Sequence, residues 1–120
     1  MKFEEFLISV SKIKNIQLPA EVSHFKMVPP FRQELLKKQE KAIKQAKHAG
    51  VLALFYPDEK EQTKFVLILR NTYKGVHSAQ VAFPGGKLDD DDFSLTHCAL
   101  RECEEEIGLN QKNIAVLGGL

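Results

Sequence analysis

The stretch ALRECEEEIGL, residues 99–109, constrains this chain more than any other. On an α-helix Glu102, Glu105 and Glu106 stand at i, i+3 and i+4 and project from one side. Like charges so placed repel by roughly 0.2–0.5 kcal/mol per pair. The helix therefore needs something to offset them, and divalent cations that prefer carboxylate oxygen do so well. Arg101 can reach Glu105 one turn on, and Glu104 points elsewhere, into solvent. Leu95, Ala99 and Cys103, flanked by Leu100 and Ile107, form the face expected to pack on a sheet.

Four aspartates, Asp89–Asp92, precede this helix, where negative charge suits the N-terminal dipole and Asp92 is positioned to cap it. They do not form an EF-hand loop: the central glycine is absent, and position twelve counted from Asp89 is Leu100. Asp89, Asp90 and Asp91 read as a solvated turn.

The rest of the chain bounds the setting. Its 120 residues suffice for one small domain with its own core. A net charge of +1 gives no field that argues for nucleic acid or a membrane surface as partner. No apolar run approaches membrane-spanning length, and MKFEEFLISV lacks the pattern of a signal peptide. Cys98 and Cys103 point about 140° apart on a helix, which argues against a disulfide, and two cysteines alone do not make a zinc site. A reducing cytoplasm is the expected location.

Helical spacing of Phe3, Phe6, Leu7, Val10 and Ile13 predicts a first helix, followed by an irregular connection through Pro19, Pro29 and Pro30. Residues 32–48 predict a second helix with Leu35, Leu36, Ala42, Ile43 and Ala46 on its apolar stripe and Gly50 as its stop. It carries Arg32, Lys37, Lys38, Lys41, Lys44 and Lys47 against Glu34 and Glu40. That is either a solvated face or a positive rim for an anionic substrate. VLALFY (51–56) and KFVLILR (64–70) predict two buried strands, QVAF (80–83) a short one stopped by Pro84-Gly85-Gly86, and 113–119 another. The order α, α, β, β, β, α, β predicts an α/β fold, a mixed sheet with helices packed on it.

Gly86, Asp92 and the run Arg101-Glu102-x-x-Glu105-Glu106-x-Gly108-Leu109 resemble the Nudix box, G-x5-E-x7-R-E-U-x-E-E-x-G-U with U aliphatic. A chance match to its R-E-x-x-E-E-x-G half is on the order of 1 in 10,000 for such a chain. Three positions depart from the pattern: Cys103 replaces an aliphatic residue, Asp92 replaces Glu, and the spacing from Asp92 to Arg101 is one residue longer. The wider stretch, with Arg70, His77, Gln80, Val81, Phe83, Pro84, Gly85 and Gly86, is similar to the coenzyme A pyrophosphatase branch, with Asn71, Lys74 and Ala79 as substitutions.

The resemblance implies a single Nudix-like α/β/α sandwich over residues 1–120. It would comprise an N-terminal helical segment to residue 48 and a core from 49, with a loop–helix–loop metal site. It implies hydrolysis of a diphosphate linkage with Mg²⁺ or Mn²⁺. Glu102, Glu105 and Glu106 would be the ligands, Arg101 would orient them, and Glu105 is the candidate to accept the water's proton. Asp92 would support the loop. Gly85 and Gly86 would let the strand approach the metal and diphosphate, and Arg70, His77 and Gln80 would touch the substrate. Arg70 also has a plain alternative as a strand-end solvated charge, and His77 as a loop hydrogen-bonding residue. For coenzyme A the products would be adenosine 3′,5′-bisphosphate and 4′-phosphopantetheine. A pyrophosphatase for ADP-ribose, NADH or an oxidised nucleotide, and a catalytically weak binding module, are the alternatives. The chain stops at VLGGL, before the strands and helix that ordinarily follow the box. An open sheet edge is therefore expected, which favours a homodimer or weak activity.

Overall fold

The computed structural model describes residues 1–16, 23, 26–29, 31–32, 34–35, 46–70 and 80–119. The expected first helix is present as α1, Phe3–Ser11, extended by a 3-10 turn over Lys12–Asn15. Its start is tied down from both directions. The Lys2 main-chain N–H donates to the Glu5 carboxylate (3.2 Å), and the Phe3 N–H donates to the Glu61 carbonyl (2.9 Å). The Phe6 ring packs on Phe55 with centroids 4.6 Å apart, so α1 covers the hairpin made by the next pair of strands.

That hairpin joins β2 (Phe55–Pro57) to β3 (Thr63–Phe65), antiparallel, with Phe55 opposite Phe65. Asp58 builds its turn: one carboxylate oxygen accepts the main-chain N–H groups of Lys60 (2.9 Å) and Gln62 (2.8 Å). A second pair joins β1 (Ala49–Val51) to β6 (Gly85–Lys87), and a third joins β4 (Ile68–Leu69) to β5 (Val81–Ala82).

Helix α2 (Leu95–Ile107) lies across β1 and β6. The Ser94 hydroxyl accepts the His97 N–H (3.0 Å) and caps its start. Gly108, at φ 73°, ends it in the left-handed conformation that glycine adopts without penalty, and its N–H donates to the Glu104 carbonyl (2.9 Å). Cys98 and Cys103 are fully buried beneath it, Ala99 nearly so, and both thiols are free.

Several sequence expectations change. The runs 51–56 and 64–70 do not form two continuous buried strands; each is split between short strands, and Phe55 and Phe65 stay partly exposed. The short strand expected in 80–83 is β5, which ends before Pro84 as expected, and Gly85-Gly86 then open β6. Ala46, Lys47 and His48 are not helical, and Gly50 belongs to β1 rather than to a helix end; residues 36–45 of that expected helix lie outside the described residues. The reason is contact with α2. A β-carbon on Gly50 would sit 2.6 Å from the Leu95 carbonyl and 3.3 Å from the Ala99 side chain, so only a bare backbone lets β1 pass under the helix. Residues 114–119 follow a 3-10 turn (Gln111–Asn113) and join no ladder among the described residues. Strand-like composition needs a partner edge to become a strand. Every described pairing is antiparallel, so the described strands do not make the expected mixed sheet.

Gly50→Ala should therefore destabilise the chain by roughly 1–3 kcal/mol through overpacking. Gly118→Ala, where a β-carbon meets nothing within 4 Å, should stay within about 0.5 kcal/mol. Urea unfolding of the two variants beside the parent checks both.

Candidate functional site

Two glycines bring the acidic helix against a strand. The Gly85 N–H donates to the Glu106 carboxylate (2.9 Å). At Gly86 any β-carbon would fall inside the Glu102 carboxyl group, so the carboxylate rests on bare backbone. At ~100° per residue Glu102 lies about 40° from Cys98 and Glu106 about 20° from Ala99 around the helix axis. The glutamates are thus not on the side away from the buried face. Glu102 and Glu106 continue that face toward β6; the missing side chain of Gly86 makes room for Glu102, and that of Gly85 lets β6 lie against Gly50 and Val51 of β1.

Arg101 holds the cluster from outside. Its Nε and Nη2 donate to the two oxygens of Asp92 (3.0 and 2.7 Å), and its Nη1 donates to Glu102 (3.1 Å) and Glu105 (3.2 Å). The contact to Glu105 across one turn is the one expected. The Asp92 side chain is wholly shielded from solvent. It also accepts the Asp89 N–H (2.9 Å) and lies 2.9 Å from His97 Nδ1. The Arg101 guanidinium, first, and the Asp89 N–H, second, hold its carboxyl well below the usual carboxylate range. Asp92, Glu105 and Glu102 in turn hold Arg101 protonated. An ionised Asp92 can only accept, so His97 Nδ1 carries the hydrogen that lies between them. The His97 ring also stacks on Phe93 at 4.0 Å between centroids.

Asp92 consequently does not cap α2, as its position suggested; Ser94 does, which frees the aspartate for Arg101. Glu104 is not simply solvated, since Gln111 Nε2 donates to it at 2.8 Å. His97 escaped the sequence reading because nothing in its spacing to Asp92 marks a pair that only the turn before α2 brings together. Burial, then the Glu106 carboxylate, push the Cys103 thiol up, so it stays a protonated core group.

An open groove of about 450 Å³ adjoins the cluster, lined by Arg70, Lys87, Gly85, Gly86, Val51 and Phe83 among others. Arg70, Gly85 and Gly86 therefore line one groove. Gln80 is held beside Arg70 through the main chain, its carbonyl accepting the Arg70 N–H (3.0 Å). His77 lies outside the described residues.

Residues 46–120, more than half of the chain, match the NUDIX domain family. The chain belongs to the Nudix family. It is 40% identical over 74 residues to the peroxisomal coenzyme A diphosphatase ndx-8 of Caenorhabditis elegans, covering 60% of this chain and 32% of that protein. It is 42% identical over 59 residues to the uncharacterized Nudix hydrolase NudL of Escherichia fergusonii, covering 49% of this chain and 31% of the relative. Against NudL of Yersinia pestis (strain Pestoides F) the identity is 57% over 44 residues, or 37% of this chain and 22% of the relative. The chain spans about a third or less of the length of these curated relatives. No solved structure matches it.

Nudix hydrolases generally need divalent metal ions. The donor chemistry in this chain suits one: Glu102, Glu105 and Glu106 offer hard carboxylate oxygens, the type that Mg²⁺ and Mn²⁺ take. Each uses one oxygen in the bonds above, Glu102 and Glu105 to Arg101 and Glu106 to Gly85, which leaves each a second oxygen. Among the described residues no three such groups already converge into a cation cage.

The Asp92–Arg101 pair sets an acid limit. A carboxyl whose folded pKa is depressed stabilises the fold above its ordinary pKa, and that contribution is lost as pH falls toward the folded value. Asp92→Asn should melt below the parent at pH 7, and the gap should hold down to about pH 4 and close below it. Thermal melts from pH 7 to pH 2.5 measure this directly.

Proposed function

We propose that this chain hydrolyses the diphosphate linkage of coenzyme A or one of its derivatives, releasing adenosine 3′,5′-bisphosphate and 4′-phosphopantetheine. The carrying observation is Arg101, clamped by shielded Asp92 on one side and bonded to Glu102 and Glu105 on the other, with Glu106 tied to Gly85. The name of the Caenorhabditis elegans relative supports the choice of substrate. The full setting of this reading is an α/β/α sandwich with a loop–helix–loop site, formed as one domain by residues 1–120, in the cytoplasm. No helix among the described residues is long and apolar enough to cross a membrane.

Glu102, Glu105 and Glu106 would hold Mg²⁺ or Mn²⁺, and a cation so bound neutralises phosphoryl oxygens and lowers the pKa of its water. Arg101 keeps Glu102 and Glu105 at fixed spacing, so their free oxygens need little reorganisation. Glu105, the more exposed of these two carboxylates, takes the attacking water's proton. The water oxygen bonds to phosphorus, the bridging P–O bond breaks, and the leaving phosphate takes up a proton. Gly85 and Gly86 keep the strand low enough for the diphosphate to approach, while Arg70, His77 and Gln80 contact the substrate from the loop side.

One observation favours a second reading. The lack of a ready three-carboxylate cage among the described residues is what a catalytically weak Nudix binding module would show. Exposed Leu69 and Val81 on β4 and β5 also suit pairing of two copies of the chain.

Incubation with coenzyme A and Mg²⁺ or Mn²⁺, followed by chromatography, decides between them. Adenosine 3′,5′-bisphosphate should form with the parent, and Glu105→Gln should slow its release by roughly 10²–10⁴-fold. Release of product at equal rates from both proteins would remove Glu105 as the base, and absence of product from coenzyme A, with turnover of ADP-ribose, would move the chain to the alternative substrate class.

A further inference from the structure

The groove beside β6 contains a cation that neither the box pattern nor the mechanism above uses. Lys87 immediately follows the glycine pair and shares the groove with Arg70, at the end of β4. Neither side chain has an ion-pair or hydrogen-bond partner among the described residues, although both line a concave surface. The intervening segment 71–79, NTYKGVHSA, contains no carboxylate that could neutralise them. Two cations in one groove that no described carboxylate pairs repel each other and are stabilised by an anion between them. The groove contains no residue of α2, so the carboxylate cluster and the cations meet only at Gly85 and Gly86.

We infer that Arg70 and Lys87 form a clamp for a phosphate monoester of the substrate, distinct from the diphosphate that is cleaved. The inference rests on the coenzyme A reading, in which the phosphate is the 3′-phosphate of the adenosine. A diphosphate held through cations at Glu102, Glu105 and Glu106 lies on the carboxylate side of the glycines. The phosphate in the groove is then a second one, separated from the first by about the length of a ribose. A monoester carries nearly two negative charges at neutral pH and so gains more from a paired Arg and Lys than a diester does. Val51 and Phe83 supply an apolar wall for the base or sugar, and a volume of about 450 Å³ is large enough for a nucleotide moiety. The clamp thus acts on selectivity: it recognises the phosphate that separates coenzyme A from its 3′-dephospho form.

Titration calorimetry with adenosine 3′,5′-bisphosphate and with 5′-AMP tests the clamp without relying on turnover. The parent should bind the bisphosphate at least 10-fold more tightly than AMP, and the preference should weaken with salt. Lys87→Gln and Arg70→Gln should each remove most of that preference, and Lys87→Gln should leave AMP binding unchanged. Both residues are exposed, so the variants should fold, and a circular dichroism melt verifies it. Equal affinity for the two nucleotides, no binding of the bisphosphate, or variants that keep the preference would overturn the clamp. A parallel assay of coenzyme A against 3′-dephospho-coenzyme A separates it from the catalytic reading. Hydrolysis of both at equal kcat/KM refutes the clamp and retains the activity; a bisphosphate preference lost in the variants without any hydrolysis supports the clamp and refutes the activity.

Discussion

The approach of α2 to the bare backbone of β1 and β6 is the contact on which the rest depends. Gly50 lets the helix pass over β1, and Gly86 lets a carboxylate rest on β6. Through this contact Cys98, Ala99 and Cys103 become the buried centre of the described residues. The same approach brings Glu106 within bonding distance of the Gly85 N–H. Core and candidate site are thus two ends of one helix–strand contact. A side chain at Gly50 or Gly86 would lift the helix and separate the carboxylates from the strand they face, and one at Gly85 would push β6 off β1.

Charge is balanced in the same region by geometry rather than by number. Four glutamates and four aspartates crowd 18 residues, from Asp89 to Glu106, with one arginine among them. Arg101 meets three of these carboxylates, Asp92 through Nε and Nη2 and both Glu102 and Glu105 through Nη1, and shielded Asp92 gives it a fixed seat. A lysine, with one ammonium, could not divide itself over such a fan. The extra residue between Asp92 and Arg101, together with the shorter Asp side chain, still delivers a two-point contact. The turn Asp89–Asp92, closed by the Asp89 N–H on the Asp92 carboxylate, supplies the required position.

Opposite fields then flank the glycine pair. On the α2 side stand Glu102, Glu105 and Glu106; in the groove stand Arg70 and Lys87. A molecule bearing phosphates at two separated positions matches such a surface better than one bearing a single anionic group, which is the common physical basis of the proposed reaction and the proposed clamp.

The acidic helix was legible in the residues alone, because the spacing of Glu102, Glu105 and Glu106 is a local property of helical geometry. So were α1 and the free cysteines. The sequence misled where an outcome depends on what lies opposite. Gly50 has the composition of a helix stop, but α2 above it makes it a strand residue. Residues 113–119 have the composition of a strand, but without a partner edge they form none. Asp92 is placed to cap a helix, yet Arg101, nine residues on, attracts it more strongly than the N-terminal amides do. The residues by themselves determined which chemical groups are present and how they are spaced along each helix. Tertiary structure alone decided that Glu102 and Glu106 face a glycine strand and that Lys87 joins Arg70 in one groove. These are contacts between segments distant in the chain, and no local periodicity encodes them.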